Sequence, residues 1–461
     1  MKGFVMQPLD DPRRDFERVR SWAEVARLCL KRDLTFSGHL QRVRPLFRQS
    51  VERISWQSLC LIAILSLLVG PVAAQDAKPL GVAFDLVRLS QPPTTYPADN
   101  IPADGVKAVF FEGLPYQGKP TKVFAYYGIP EAKAGAEKVP GVVLIHGGGG
   151  TAFANWVKLW NDRGYAAIAM DLCGCVPVGT YGKWERHPEG GPPGWDASFD
   201  QIAGPLEDQW QLHAVSAVVL ANSLLRSLPN VDADRIGVTG ISWGGYLTCL
   251  VVGVDTRFRC AVPVYGCGFL GDNSAWLPAF ERLGKEKTQK WLDQWDPSVY
   301  LRRETKVPML WVNGTNDFAY PMDSWLRSAE LHDPSTLCLR IRMPHGHGPA
   351  GENPEEIHVF MNSILKGGKP FATFVEGLGE GPHKMVRYKS DVRIVKAELC
   401  FTRDSGKWQD RNWESIPAGL SAETAHADLP RGATVWFFNL FDERDCVVTD
   451  DIHDYSKTRF K

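Results

Sequence analysis

From residue 106 onward, short unbroken runs of Val, Ile, Leu and Ala alternate with stretches whose apolar residues recur every three or four positions. The runs at 106–111, 122–127, 141–146, 166–171, 235–239, 260–265, 308–313 and 337–343 predict strands. Several carry no polar alternation, which marks strands covered on both faces. Helical spacing falls at 152–163, 207–228, 244–254, 321–331 and 353–365. Strand and helix in alternation predict an α/β protein: a mostly parallel sheet with helices on both faces.

Two stretches interrupt that rhythm. Residues 173–201 are rich in Gly, Pro and Trp, and residues 268–304 carry three tryptophans and a charged helical stretch. Long insertions after strands usually build the rim of a site. Beyond Gly368 the texture changes to β-branched and aromatic runs at 385–388, 394–401 and 434–440, without helical period. Residues 371–461 therefore read as a small C-terminal antiparallel β-sandwich, and residues 106–370 as the α/β domain.

The N-terminal part reads differently. Residues 55–74 place an uncharged apolar run after Arg44, Arg48 and Arg53, and end in small residues before Gln75. That is a signal-peptide layout and predicts a secreted or periplasmic protein. The rival, a membrane anchor, needs roughly 20 apolar residues, and Gly70-Pro71 breaks this run early. Residues 1–54 are long and basic for an n-region, so the true start is expected downstream of Met1; residues 75–105 form a Pro-rich leader.

Composition narrows the function. Lys plus Arg 52 against Asp plus Glu 53 gives a net charge of -1, no field for nucleic acid or anionic membranes. Cys173, Cys175, Cys249, Cys260, Cys267, Cys338, Cys400 and Cys446 follow the predicted cleavage point. Export permits some to oxidise, but the spacing fixes no pairing and offers no zinc knuckle. The 16 tryptophans are many for this length. Trp160, Trp311 and Trp436 sit in core-like runs, while Trp184, Trp195, Trp276 and Trp295 fall in or near the insertions and are expected at a substrate rim.

The chemistry centres on Gly240-Ile241-Ser242-Trp243-Gly244, which follows a strand and opens a helix. This is the context a G-x-S-x-G nucleophile elbow requires. Asp317, just past a later strand, suits the triad acid, although an Asp there also makes a turn or helix cap. Its neighbour Asn316 cannot hold charge against an imidazolium. The base lies in Pro344-His345-Gly346-His347-Gly348; His347, between glycines, is preferred, with His345 as the alternative. His146-Gly-Gly-Gly-Gly150 ends another strand, so the amides of Gly148 and Gly149, with that of Trp243, are the expected oxyanion donors. His146 itself reads as structural.

Two patterns lead elsewhere. Gly266-Cys-Gly268-Phe-Leu-Gly271 matches G-x-G-x-x-G but lies late in the sheet, without the acidic strand end a nucleotide site needs. Asp317, His345 and His347 lack a further clustered ligand for a metal. No metal and no cofactor is expected.

On GISWGG, GTNDFAYP and MPHGHG, residues 106–367 resemble the dienelactone hydrolase and prolyl oligopeptidase branch of the α/β-hydrolases. The chain looks similar to exported bacterial acetylxylan esterase-like proteins ending in a small β-sandwich. The resemblance implies a serine carboxylic-ester hydrolase acting on a small-molecule or polysaccharide ester. The same-fold rival is a prolyl-oligopeptidase-like peptidase, against which stands the lack of an N-terminal propeller. The rival of another class is a non-catalytic binding protein with a vestigial triad.

Overall fold

Among the described residues, the alternation of polar gaps and apolar runs resolves into a mixed sheet with nine strands in its α/β part. Its strands are β1 (Thr95–Pro97), β2 (Lys107–Glu112), β3 (Lys122–Gly128), β4 (Val139–Ile145), β5 (Ala166–Met170), β8 (Val231–Ile241), β9 (Cys260–Val264), β10 (Met309–Gly314) and β11 (Ser335–Arg340). β6 (Cys175–Thr180) and β7 (Lys183–Arg186) form a separate hairpin inside the first insertion. β1, β2, β3 and β5 pair antiparallel in that order; β5, β4, β8, β9, β10 and β11 then run parallel. The computed structural model describes residues 80–103, 105–131, 137–194, 198–303, 305–379 and 381–455. The predicted signal peptide at 55–74, the 1–54 extension, the start of the leader and Trp195 lie outside them.

The continuous apolar runs have a simple cause. Val143, Ile145, Ile168 and Val238 point into one core cluster, and Val142, Leu144, Ala167 and Val262 into another. Alternate residues of one strand thus feed opposite faces, and neither face can be polar. Helices α2 (Trp210–Ser227) and α3 (Trp243–Val252) cover the first face; α1 (Ala154–Asp162) and α8 (Glu355–Leu365) cover the second. The second insertion folds as α4 (Leu277–Leu283), α5 (Lys285–Trp295) and α6 (Pro297–Leu301), ahead of α7 (Met322–Ala329). Among the described residues no helix is long and apolar enough to cross a membrane.

Beyond α8 every pairing is antiparallel. β12 (Thr373–Leu378), β13 (His383–Lys389), β16 (Thr424–Asp428) and β15 (Trp413–Ser421) form one layer; β15 continues into β14 (Ile394–Thr402), β17 (Val435–Asp442) and β18 (Val447–Thr449). β18 meets β11 at Leu337 and Thr449, so this region extends the central sheet. Phe437 and Cys400 join the first core cluster, while Phe438, Leu440 and Leu399 join the second. Burial on both faces is why Val435–Phe438 reads as an unbroken apolar run. All eight cysteines from Cys173 to Cys446 are free thiols, six of them buried.

His358 of α8 packs on Trp160 of α1, ring centroids 4.4 Å apart, and donates Nε2–H to Asn353 Oδ1 at 2.9 Å. Burial, then Arg163, lowers its pKa from 6.5 to about 3. Above pH 6.5 the imidazole is neutral folded and unfolded. Below it the unfolded chain takes up a proton that the folded chain refuses, so His358 alone is expected to cost on the order of 1 kcal/mol per pH unit of acidification, until its folded pKa is reached. Urea unfolding of wild type and His358→Gln at several pH values checks this, and the variant should lose less stability toward acid.

Candidate active site

Ser242 stands between β8 and α3 at φ 57 and ψ -116. A serine there is strained, and the surrounding glycines make the turn possible. A Cβ on Gly240 would lie 2.2 Å from the Gly244 oxygen, and one on Gly244 would lie 2.0 Å from the Ile145 oxygen. Strand, turn and helix therefore touch backbone to backbone. The Ser242 amide donates to the Val264 carbonyl at 2.9 Å, tying the elbow to β9.

Asp317 follows β10 in a tight loop. One carboxylate oxygen accepts the amides of Ala319 (2.9 Å) and Tyr320 (2.7 Å); the other bonds His345 Nδ1 at 2.7 Å. Turn former and acid are one residue. His345 Nε2 then lies 2.9 Å from Ser242 Oγ. A continuous chain runs Asp317–His345–Ser242, its acid side chain fully buried and its imidazole 7% exposed. Neighbouring Asn316 points away and donates to the Gln409 and Arg411 carbonyls, fastening the C-terminal region beside the acid loop.

The preferred base of the sequence analysis, His347, does not reach Ser242. Its Nδ1 sits 2.5 Å from the Tyr181 hydroxyl and 3.1 Å from the Gly148 carbonyl. The ring within reach of Ser242 is that of the alternative, His345. One partner distant in sequence fixes this. Tyr265 stacks on the His345 ring at 4.4 Å and donates its hydroxyl to the Gly346 carbonyl at 2.5 Å, which fixes the loop and the face His345 presents. Desolvation, then the nearby His345, pulls the His347 pKa down to about 4 although an edge of the ring meets solvent. It is neutral at physiological pH.

Gly148 lines the same cavity as Ser242 and His345, and Trp243 heads α3. His146 holds the root of this loop: its Nδ1–H donates to Gly147 (2.8 Å) and its Nε2 accepts the Leu172 amide (3.0 Å). Burial lowers its pKa and keeps it neutral.

A cavity of about 500 Å³ opens over Ser242, walled by Tyr181, Trp243, Trp276 and Phe318. Of the four rim tryptophans expected from sequence, Trp276 lines this cavity. Trp184 stands behind the glycine loop, its indole donating to the Gly149 carbonyl at 2.8 Å. Trp295 is a correction: it is 0% exposed and donates to Gln209 Oε1 at 2.7 Å. With Trp291 it forms the buried face of α5, one helical turn apart. Tyr181 and Phe318 were not foreseen as rim residues, though Phe318 follows the acid directly and is 62% exposed. The G-x-G-x-x-G match also finds its purpose in packing, since a Cβ on Gly266 would meet the Gly245 backbone at 2.1 Å.

The parallel sheet, the elbow and the chain order Ser, Asp, His leave one architecture. The chain has the α/β-hydrolase fold. Two family models match it in sequence: the prolyl oligopeptidase family over residues 203–360 and acetyl xylan esterase (AXE1) over residues 97–277. No curated protein matches the chain. Among solved structures, the acetyl xylan esterase from Paenibacillus sp. R4 is similar at 22% identity and TM-score 0.47, over 61% of this chain and 92% of that one. Acetyl xylan esterase 1 from Thermoanaerobacterium sp. JW/SL YS485 is similar at 16% identity and TM-score 0.48, over 62% and 95%. The acylaminoacyl peptidase of Pyrococcus horikoshii is similar at 19% identity and TM-score 0.42, over 57% and 42%. The acetyl xylan esterase match includes Ser242 and ends before Asp317 and His345.

Proposed function

We propose that the protein is an exported esterase that cleaves carbohydrate-linked carboxylic esters through an acyl-enzyme on Ser242. The observation that carries this is the unbroken hydrogen-bond chain from Asp317 through His345 to Ser242 Oγ. In this reading Ser242 Oγ attacks the ester carbonyl carbon while its proton passes to His345 Nε2. Asp317 holds the imidazole in the Nδ1–H tautomer and faces the imidazolium that forms. The tetrahedral oxyanion is met by the amide of Trp243 and by the Gly148–Gly149 loop. Collapse releases the alcohol, which takes the proton from His345. Water, deprotonated by the same histidine, then frees the acid and restores the serine.

The substrate class rests on the cavity. Its opening and its aromatic walls, Trp276, Phe318 and Tyr181, suit the apolar faces of a sugar ring. The signal-like segment at 55–74 supports export to a compartment where polysaccharide esters are met. A peptidase reading is favoured by one observation, the prolyl oligopeptidase match, which spans Ser242, Asp317 and His345. Rates on acetylated xylan, aryl acetates and proline anilides separate the two, with Ser242→Ala as blank. The expected result is turnover of both acetates and none of the anilides; the reverse order would establish the peptidase.

A further inference from the structure

The hairpin of the first insertion holds the glycine loop through three hydrogen bonds. The Tyr181 hydroxyl donates to the Gly148 carbonyl at 2.6 Å. The Gly182 amide and the Trp184 indole N–H both donate to the Gly149 carbonyl, at 2.9 and 2.8 Å. His347 closes the arrangement, its Nδ1 within reach of both the Tyr181 oxygen and the Gly148 carbonyl. A phenol has one proton, and here it goes to the carbonyl. His347 must then carry its proton on Nδ1 and donate, giving a directed chain from His347 to Tyr181 to Gly148.

A trans peptide points its C=O and the following N–H in opposite directions. Pulling the Gly148 carbonyl toward the hairpin turns the Gly149 N–H the other way. The next amide is already committed, because Gly150 N–H donates to the Gly147 carbonyl at 3.1 Å. Left alone, a run of glycines with Gly149 at φ 74 has little to hold one orientation. We propose that Tyr181, Trp184 and His347 are positioning residues that aim the Gly149 amide as an oxyanion donor, so that the rim hairpin sets the electrostatics of the site. The proposal rests on Ser242 being the nucleophile. It also explains why Gly149 faces Tyr181: a Cβ there would lie 2.9 Å from Tyr181 Cε1.

The test is the rate constant for fluorophosphonate labelling of Ser242, which depends on the oxyanion hole whatever the natural substrate, together with kcat and KM on an aryl acetate. Tyr181→Phe and Trp184→Phe are each expected to slow labelling and kcat by about 10- to 100-fold while KM changes by less than about threefold. His347→Asn, whose amide can donate in place of Nδ1–H, should stay within about threefold of wild type, and His347→Leu should fall as far as Tyr181→Phe. A slow Tyr181→Phe beside a wild-type Trp184→Phe would overturn the proposal in favour of a direct contact from Tyr181 to the oxyanion. Losses that track a fall in Tm and a rise in KM would overturn it in favour of mere packing. Wild-type rates in every variant would overturn it alone; an unlabelled, folded wild type would remove the nucleophile and the proposal together.

Discussion

Replacing His345 by alanine is expected to lower kcat on an aryl acetate by roughly 10⁴- to 10⁶-fold, because members of a triad act as one unit and the loss of the base disables the serine. His347→Ala should cost no more than about 10- to 100-fold, the scale of a misaimed oxyanion donor. The two histidines stand two residues apart in one glycine-rich loop, yet only His345 lies between Asp317 and Ser242. Steady-state kinetics on the two variants checks the assignment. Asp317→Asn should fall near His345→Ala, since it removes the acceptor that selects the tautomer and also weakens the carboxylate's hold on the Ala319 and Tyr320 amides.

Gly244→Ala is expected to destabilise the protein by about 2 kcal/mol or more and to abolish activity with it. The added methyl would land 2.0 Å from the Ile145 oxygen and 2.8 Å from the His146 oxygen. Both are backbone atoms, which no rotamer change can move aside. The small gain in helix propensity from replacing glycine, about 1 kcal/mol, cannot offset this. Relief requires α3 to retreat from β4, which carries Ser242 away from His345. Urea denaturation and kcat measured together test this. Gly377→Ala, where nothing lies within 4 Å, serves as the control and should stay within about 0.5 kcal/mol of wild type.

Much of this fold was legible from residue pattern alone. The strand runs lie in the sheet because burial on both faces forbids alternation, and Gly-x-Ser-x-Gly carries its geometric reason on its face. Chain order singled out Asp317, and its carboxylate lies 2.7 Å from His345 Nδ1. The base was not, since which of two neighbouring rings turns inward depends on Tyr265 and Asp317, contacts made across 80 residues and 28 residues of chain. Trp295 was misplaced at the rim because an insertion rich in tryptophan resembles a binding edge. Its spacing of four from Trp291 within a charged helix was the available signal that both face inward. The hairpin at 175–186 escaped notice because its two short strands lie apart from the main sheet, and their role lies in what their turn touches.

In the proposed mechanism Ser242 forms a covalent acyl-enzyme under the action of His345. Rapid quenching of wild type and His345→Ala with an aryl acetate, followed by mass spectrometry of the peptide that carries Ser242, tests it most directly. The expected result is an acetyl group on Ser242 of the wild type, formed in a burst, and none on His345→Ala over the same interval. An unmodified Ser242 during turnover, or an acetyl group accumulating equally fast without His345, would contradict it.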